Sequence, residues 1–158
     1  MSNSEFDNQI IKRALTSSKI IAMVGVSSVK KEISSNIKRR PSVIVMKYLQ
    51  EFGYKVIPVN PLAAGKAING EKAKSKLTDI ENKIDIVNVF RPSKETPLIA
   101  KEAVRIKAKV LWLQYGIQNE EARKIAESSN IIYIDNKCIK QEYQKLFLKV
   151  NPVFPVLQ

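Results

Sequence analysis

An α/β fold, with a doubly wound parallel sheet inside a single three-layer domain, is what this sequence predicts, and three observations carry the prediction. Apolar runs at residues 20–24, 55–59, 84–90, 109–113 and 131–134 show no helical alternation, as strands buried on both faces do. Between them lie stretches with apolar residues at helical spacing. The first four runs close on turn-forming segments, Gly25-Val26-Ser27, Asn60-Pro61, Phe90-Arg91-Pro92 and Gln114-Tyr115-Gly116. Right-handed crossovers then give the strand order 3-2-1-4-5-6.

Each element has its own local reason. Residues 6–17 read as a leading helix, with Ile10, Ile11, Ala14 and Leu15 at helical spacing. After the first strand, a helix over residues 42–52 sets Val43, Met46, Leu49 and Phe52 on one face, and Gly53 closes it. The second strand, residues 55–59, contains Pro58, which cannot donate to a ladder and marks a strand end or an interruption. A loop holding Gly65 and Gly70 leaves room for one very short strand near residues 71–73, then a short helix at 75–80 with Ser75 as its cap. The strand at 84–90 (IDIVNVF) leads to Ser93 or Thr96 as cap of a helix running to about Lys107. Asn119 caps a helix through Ser128, and residues 138–148 form a terminal helix. The expected layout is one domain over residues 1–158: a leading helix in 1–18, a core at about 19–148 and an extended tail at 149–158.

The first strand, with the loop and helix after it, forms the front half of a Rossmann-like nucleotide-binding unit. Gly25 permits a tight turn and a close approach of phosphates to the backbone. Ser27 and Ser28 offer hydroxyls, and Pro41 suits a first helical turn whose partial positive end points back at the loop. Lys30, Lys31, Lys38, Arg39 and Arg40 crowd the same loop. Neither GxGxxG nor GxxxxGK[ST] is present, so the segment is not a dinucleotide fingerprint or a P-loop.

Composition narrows the chemistry. Of 158 residues, 44% are hydrophobic and 27% charged, the balance of a soluble globular domain. The net charge of +12 comes mostly from scattered lysines; only residues 30–40 are dense, and no aromatic residues interleave there, which argues against a nucleic-acid partner. Histidine is absent, which removes His-based triads, His-ligated metals and phosphohistidine intermediates. A single cysteine, Cys138, fits a reducing cytoplasm. No apolar run reaches membrane-spanning length, and the polar start MSNSEFDNQ resembles neither a signal peptide nor a transit peptide.

In such sheets ligands bind at the carboxyl ends of the strands. Those ends are rich in turn residues and poor in acid–base groups, for Asp79, Asp85 and Asp135 do not converge on one rim. No catalytic residue and no metal ligand is assigned. Arg91 suits a phosphate or a surface ion pair equally well. Trp112 reads as core. Cys138, near a helix start, reads as a buried, inert thiol more readily than a reactive one.

The segments IIAMVGVSS, YLQEFGYKVIPVNP, DIVNVFRP, VLWLQYGIQNEEA and IDNKCIKQEY resemble the small stand-alone CoA-binding proteins of bacteria, which are similar to the CoA-binding domain of succinyl-CoA synthetase α subunits. The resemblance runs from about Lys19 to Tyr143. It implies a Rossmann-like domain that binds coenzyme A; with the strand ends poor in acid–base groups, the expectation is a cytoplasmic protein that binds coenzyme A or an acyl-CoA without catalytic machinery of its own. By position, Gly25, Val26 and Ser27 would hold the pyrophosphate, joined by Arg39, Arg40 and Ser42. Asn60 and Pro61 would border the adenosine, with the basic loop or Lys66 near the ribose phosphate. Phe90, Arg91 and Pro92 would line the next rim, and Gln114 and Gly116 the pantetheine side. A homo-oligomer or a partner enzyme stays open. Two other readings stand beside this one: a Rossmann-fold enzyme or NAD(P)-binding protein, and a protein whose Cys138 forms a mixed disulfide with CoA.

Overall fold

In the computed structural model, the described residues are 3–27 and 41–149. The basic cluster at 30–40, with Arg39 and Arg40, Ser28 and the tail at 150–158 lie outside them. The strands are β1 (Ile20–Val24), β2 (Lys55–Val59), the two-residue β3 (Ala67–Ile68) and β4 (Glu71–Lys72), β5 (Ile86–Val89), β6 (Val110–Leu113) and β7 (Ile132–Ile134). The helices are α1 (Asn3–Ser17), α2 (Pro41–Glu51), α3 (Thr96–Arg105), α4 (Glu120–Ser128) and α5 (Ile139–Tyr143). Five strands form a parallel sheet in the order β2-β1-β5-β6-β7.

Apolar side chains alternate between two cores because successive strand residues point to opposite faces. Ile21, Met23, Ile86, Val110 and Trp112 pack with residues of α1, α2 and α5. Ala22, Val87, Val89, Leu111 and Leu113 pack with residues of α3 and α4. The three-layer α/β class is therefore as predicted, but among the described residues the sheet has no outermost strand of the six-strand order. In its place β3 and β4 form a small antiparallel hairpin, and Lys74 makes one parallel bridge to Val59. The reason lies in Pro58. Lys74 N–H donates to the Pro58 carbonyl (2.9 Å) and the Asn60 N–H donates to the Lys74 carbonyl (2.9 Å). Pro58 therefore turns its peptide groups outward, away from β1, where it has no N–H to offer a further strand. Its ladder to β1 runs unbroken, with Met23 opposite it.

Several local expectations shift by a residue or two. The buried stripe of α2 is Ser42, Val45, Met46 and Leu49. Val43 is half-buried, and Phe52 is exposed but stacks on Tyr48 and Tyr143 at centroid distances of 4.8 and 4.9 Å. Gly53, at φ 97°, ends the helix as expected, with the Tyr54 N–H returning to the Leu49 carbonyl (3.1 Å). The short helix after β4 is a 3-10 turn at Leu77–Asp79, and its capping position is Lys76 rather than Ser75. Ser93 opens a 3-10 turn, Ser93–Glu95, that feeds α3, so neither Ser93 nor Thr96 is the cap. The Ser93 carbonyl instead accepts from Thr96 Oγ1 (2.7 Å) and Asn119 Nδ2 (3.0 Å), tying the start of α3 to that of α4. Asn119 does cap α4: its Oδ1 accepts from the Ala122 N–H at 2.9 Å. The terminal helix is α5 followed by a wider π-helical turn, Gln144–Leu148.

Candidate functional site

The strand order reverses between β1 and β5, since β1 leads through α2 to β2 on one side and β5 leads through α3 to β6 on the other. At that point the β1 loop is held from three directions. Gly25 takes φ +98°, and a Cβ there would lie 2.8 Å from the Phe90 carbonyl oxygen and 2.9 Å from Arg91 Cδ. Contact between two strand-end loops by itself requires glycine here, a reason the sequence did not suggest. The Asn60 Nδ2 donates to the Val26 carbonyl (2.7 Å), while its Oδ1 accepts from the Leu62 N–H (2.8 Å). The Ser27 N–H donates to Ser42 Oγ at 3.1 Å, so this amide is taken up by the first turn of α2. Val26 is fully buried and serves the site through its backbone.

A cavity lies on each side of the Gly25–Phe90 contact. The first, about 420 Å³, is bounded by Gly25, Asn60, Pro61, Leu77, Arg91 and Ile99. Its wall is mainly apolar, with Arg91 as a cation at the edge. The Arg91 guanidinium grips Glu95 bidentately, Nε to Oε1 at 2.9 Å and Nη2 to Oε2 at 2.9 Å. This bond to Arg91 outweighs partial burial and holds the Glu95 carboxyl below its ordinary range. The choice left open for Arg91 is therefore answered in part: it makes an ion pair, at the mouth of a cavity.

The second cavity, about 690 Å³, is bounded by Pro41 at the start of α2, Phe90, Gln114, Tyr115, Cys138 and Gln141. Gln114 is only 7% exposed. Its Oε1 accepts from Asn88 Nδ2 (3.3 Å) and from the Ile139 N–H (3.0 Å), which fixes the amide's orientation. Its Nε2 then has no partner among the described residues. Beneath it, Asn88 is sealed in the sheet with its Nδ2 also on the Trp112 carbonyl (3.3 Å) and its Oδ1 unpartnered among the described residues. A buried amide oxygen without a hydrogen bond costs stability, so Asn88 marks where the fold favours a polar group over packing.

The other expected site residues are dispersed. Pro92, Lys66 and Gly116 are exposed and border neither cavity. The Gly116 N–H donates to Asn136 Oδ1 (2.7 Å) instead, shaping the turn after β6. Gln141, Leu77 and Ile99 line the cavities although nothing local in the sequence marks them. Asn88 had a readable signal: it is the one uncharged polar residue inside the apolar run IVNVF. Trp112 is core, fully buried, and its Nε1 donates to the Lys137 carbonyl (2.8 Å). Among the described residues no group of His, Cys, Asp and Glu is placed to hold a metal ion, and no helix is long and apolar enough to cross a membrane.

A parallel sheet covered on both faces, with strand-end loops gathered where its order reverses, defines a Rossmann-like three-layer domain. The chain belongs to the CoA-binding domain family, whose model matches residues 19–144. It is 42% identical over 130 residues to the uncharacterized protein YneT of Bacillus subtilis, covering 82% of this chain and 89% of that one. Among solved structures it is similar to a hypothetical protein from Pyrococcus horikoshii, with 38% identity and a TM-score of 0.77 over 88% of this chain and 91% of that one. It is also similar to cell-free ID.343 from Thermus thermophilus, with 31% identity and a TM-score of 0.79 over 89% of this chain and 98% of that one.

Proposed function

We propose that this protein binds coenzyme A or an acyl-CoA across the switch point of the sheet, in a cytoplasmic setting and without catalysis of its own. The observation that carries the reading is the pair of cavities flanking the Gly25–Phe90 contact, in a chain of the CoA-binding family. An elongated ligand with an aromatic head, a charged middle and a polar arm matches that layout. The diphosphate lies over Gly25–Ser27 and the first turn of α2, with Ser42 and Arg91 supplying donors and charge. The adenosine takes the smaller cavity beside Asn60 and Pro61, against Leu77 and Ile99. The arm takes the larger one along Phe90, with Gln114 Nε2 donating to one of its amide carbonyls.

A nicotinamide dinucleotide is the competing ligand for this fold. Recognition of its ribose uses an acidic residue at the end of the second strand. Here that place holds Asn60, whose side chain is already bonded to Val26 and Leu62. Thermal-shift titration separates the two. CoA at roughly 100 Kd stabilises the protein by about 2.7 kcal/mol. A shift with NAD(H) or NADP(H), and none with millimolar CoA, would sink the proposal. Native mass spectrometry of freshly purified protein identifies any acyl group.

A further inference from the structure

We infer that Cys138 is a docking-directed thiolation site, where the sulfur of the bound ligand forms a mixed disulfide with the protein. The inference rests on the CoA reading above and names a regulation of that same site. Cys138 is a free thiol, half-buried, on the wall of the larger cavity rather than sealed in the core. Its segment is held to β6 on both sides. The Trp112 Nε1 donates to the Lys137 carbonyl (2.8 Å), and the Ile139 N–H donates to Gln114 Oε1 (3.0 Å). Cys138 thus shares a wall with Gln114, the buried side chain whose Nε2 has no partner among the described residues.

That unpartnered amide is the second observation. A donor left open on a cavity wall is balanced by a ligand acceptor, and the arm of CoA carries two amide carbonyls before its terminal thiol. An arm entering from the Gly25 loop passes Phe90, meets Gln114 and ends beside Cys138. Cys138 is half-buried on the wall of a cavity of about 690 Å³, not fully buried as the sequence suggested.

The chemistry is thiol–disulfide exchange with CoA disulfide as the oxidised partner. Cys138 Sγ gives up its proton and attacks one sulfur of the disulfide. The bond from Cys138 to CoA sulfur forms as the sulfur–sulfur bond of the reagent breaks, and the second CoA leaves as a thiolate that takes up the proton. A reducing thiol reverses the step by the same exchange.

The test treats the full chain with CoA disulfide and reads intact mass. The expected product carries one CoA, less two hydrogens, and is absent in Cys138→Ser. It forms at least about tenfold faster than the adduct with glutathione disulfide at equal concentration, since docking raises the local concentration. In wild-type protein, reduced CoA slows alkylation of Cys138 by iodoacetamide at least about tenfold, a measurement that needs no variant to fold. Thermal shift with reduced CoA under reducing conditions tests binding separately. If reduced CoA stabilises the protein but the adduct is missing, or forms no faster than with glutathione disulfide, the inference is overturned and the binding reading stands. If reduced CoA gives no shift, both fall.

Discussion

The carbonyl oxygen of Phe90 stands 2.8 Å from the point a Cβ on Gly25 would occupy. Two loops that come after adjacent parallel strands are thereby pressed together at the reversal of the sheet, and the candidate cavities open on either side of them. The contact explains a glycine that no local motif demands, and it couples the geometry of the candidate site to the stability of the fold.

Gly25→Ala should therefore cost far more than a matching change elsewhere. Gly53 has nearly the same backbone, φ +97°, but nothing within 4 Å of its added Cβ. Gly53→Ala incurs only the left-handed penalty, about 1–2 kcal/mol. Gly25→Ala adds a backbone clash to that penalty, for a total of about 3–4 kcal/mol. Urea unfolding of both variants checks the ranking; equal losses would remove the contact from the account.

Arg91→Ala is expected to weaken CoA binding by about tenfold, the worth of one charge-assisted contact. Glu95→Gln releases the guanidinium from its carboxylate and should tighten binding or leave it within a few-fold. Isothermal titration at low and high salt reads both, and the Arg91→Ala variant should show the shallower salt dependence. Unchanged affinity in Arg91→Ala would place the diphosphate away from this edge.

Acid sensitivity should reside in Asp85. Burial pushes its carboxyl up, but the N–H groups of Lys19 (2.8 Å) and Ile20 (3.0 Å), together with Lys109, outweigh that and hold it below its ordinary 3.8. A depressed folded value means the stabilisation is complete above pH 3.8 and is lost as pH falls through the lower folded value. Asp85→Asn should be less stable at neutral pH, and its urea midpoint should fall less on acidification. Parallel curves for the two proteins would rule Asp85 out as the source.

At the other end of the scale, Tyr54 donates its hydroxyl to the Leu15 carbonyl (2.7 Å), joining the start of β2 to the end of α1. Burial, then the neighbouring Tyr143, pushes its phenol from 10.0 up to about 12. Because the folded value is raised, the contribution is full below pH 10.0 and disappears as pH rises through about 12. Tyr54→Phe should lose about 1 kcal/mol at neutral pH. It should also show a flatter decline in unfolding midpoint above pH 10.0, read by chemical denaturation across that range.

Much of the fold was legible because its causes are local. The bounds of β2, the Gly53 terminus of α2 and the Asn119 cap of α4 each come from a residue's own conformational preference. On α2, Met46 and Leu49 are buried as read from the sequence, but Phe52 is not, for the opposite reason. Periodicity fits Phe52 as well as Val45, and only the aromatic stack with Tyr48 and Tyr143 takes Phe52 off the sheet-facing side. The missing outer strand is similar. Pro58 announced an interruption, but the sequence could not say that its peptide faces outward.

What the sequence alone determined is the alternation of strands and helices, the covered parallel sheet and, through a handful of segments, the family. What only the tertiary structure decided is which distant residues meet. Ser27 and Ser42 hydrogen-bond to each other, Asn60 is consumed in holding the β1 loop, and Gln114, Pro41 and Cys138 share one cavity wall. Propensity and periodicity report on neighbours within a few residues. The site is built from loops that are far apart in the chain and brought together only when the two cores on either side of the sheet close.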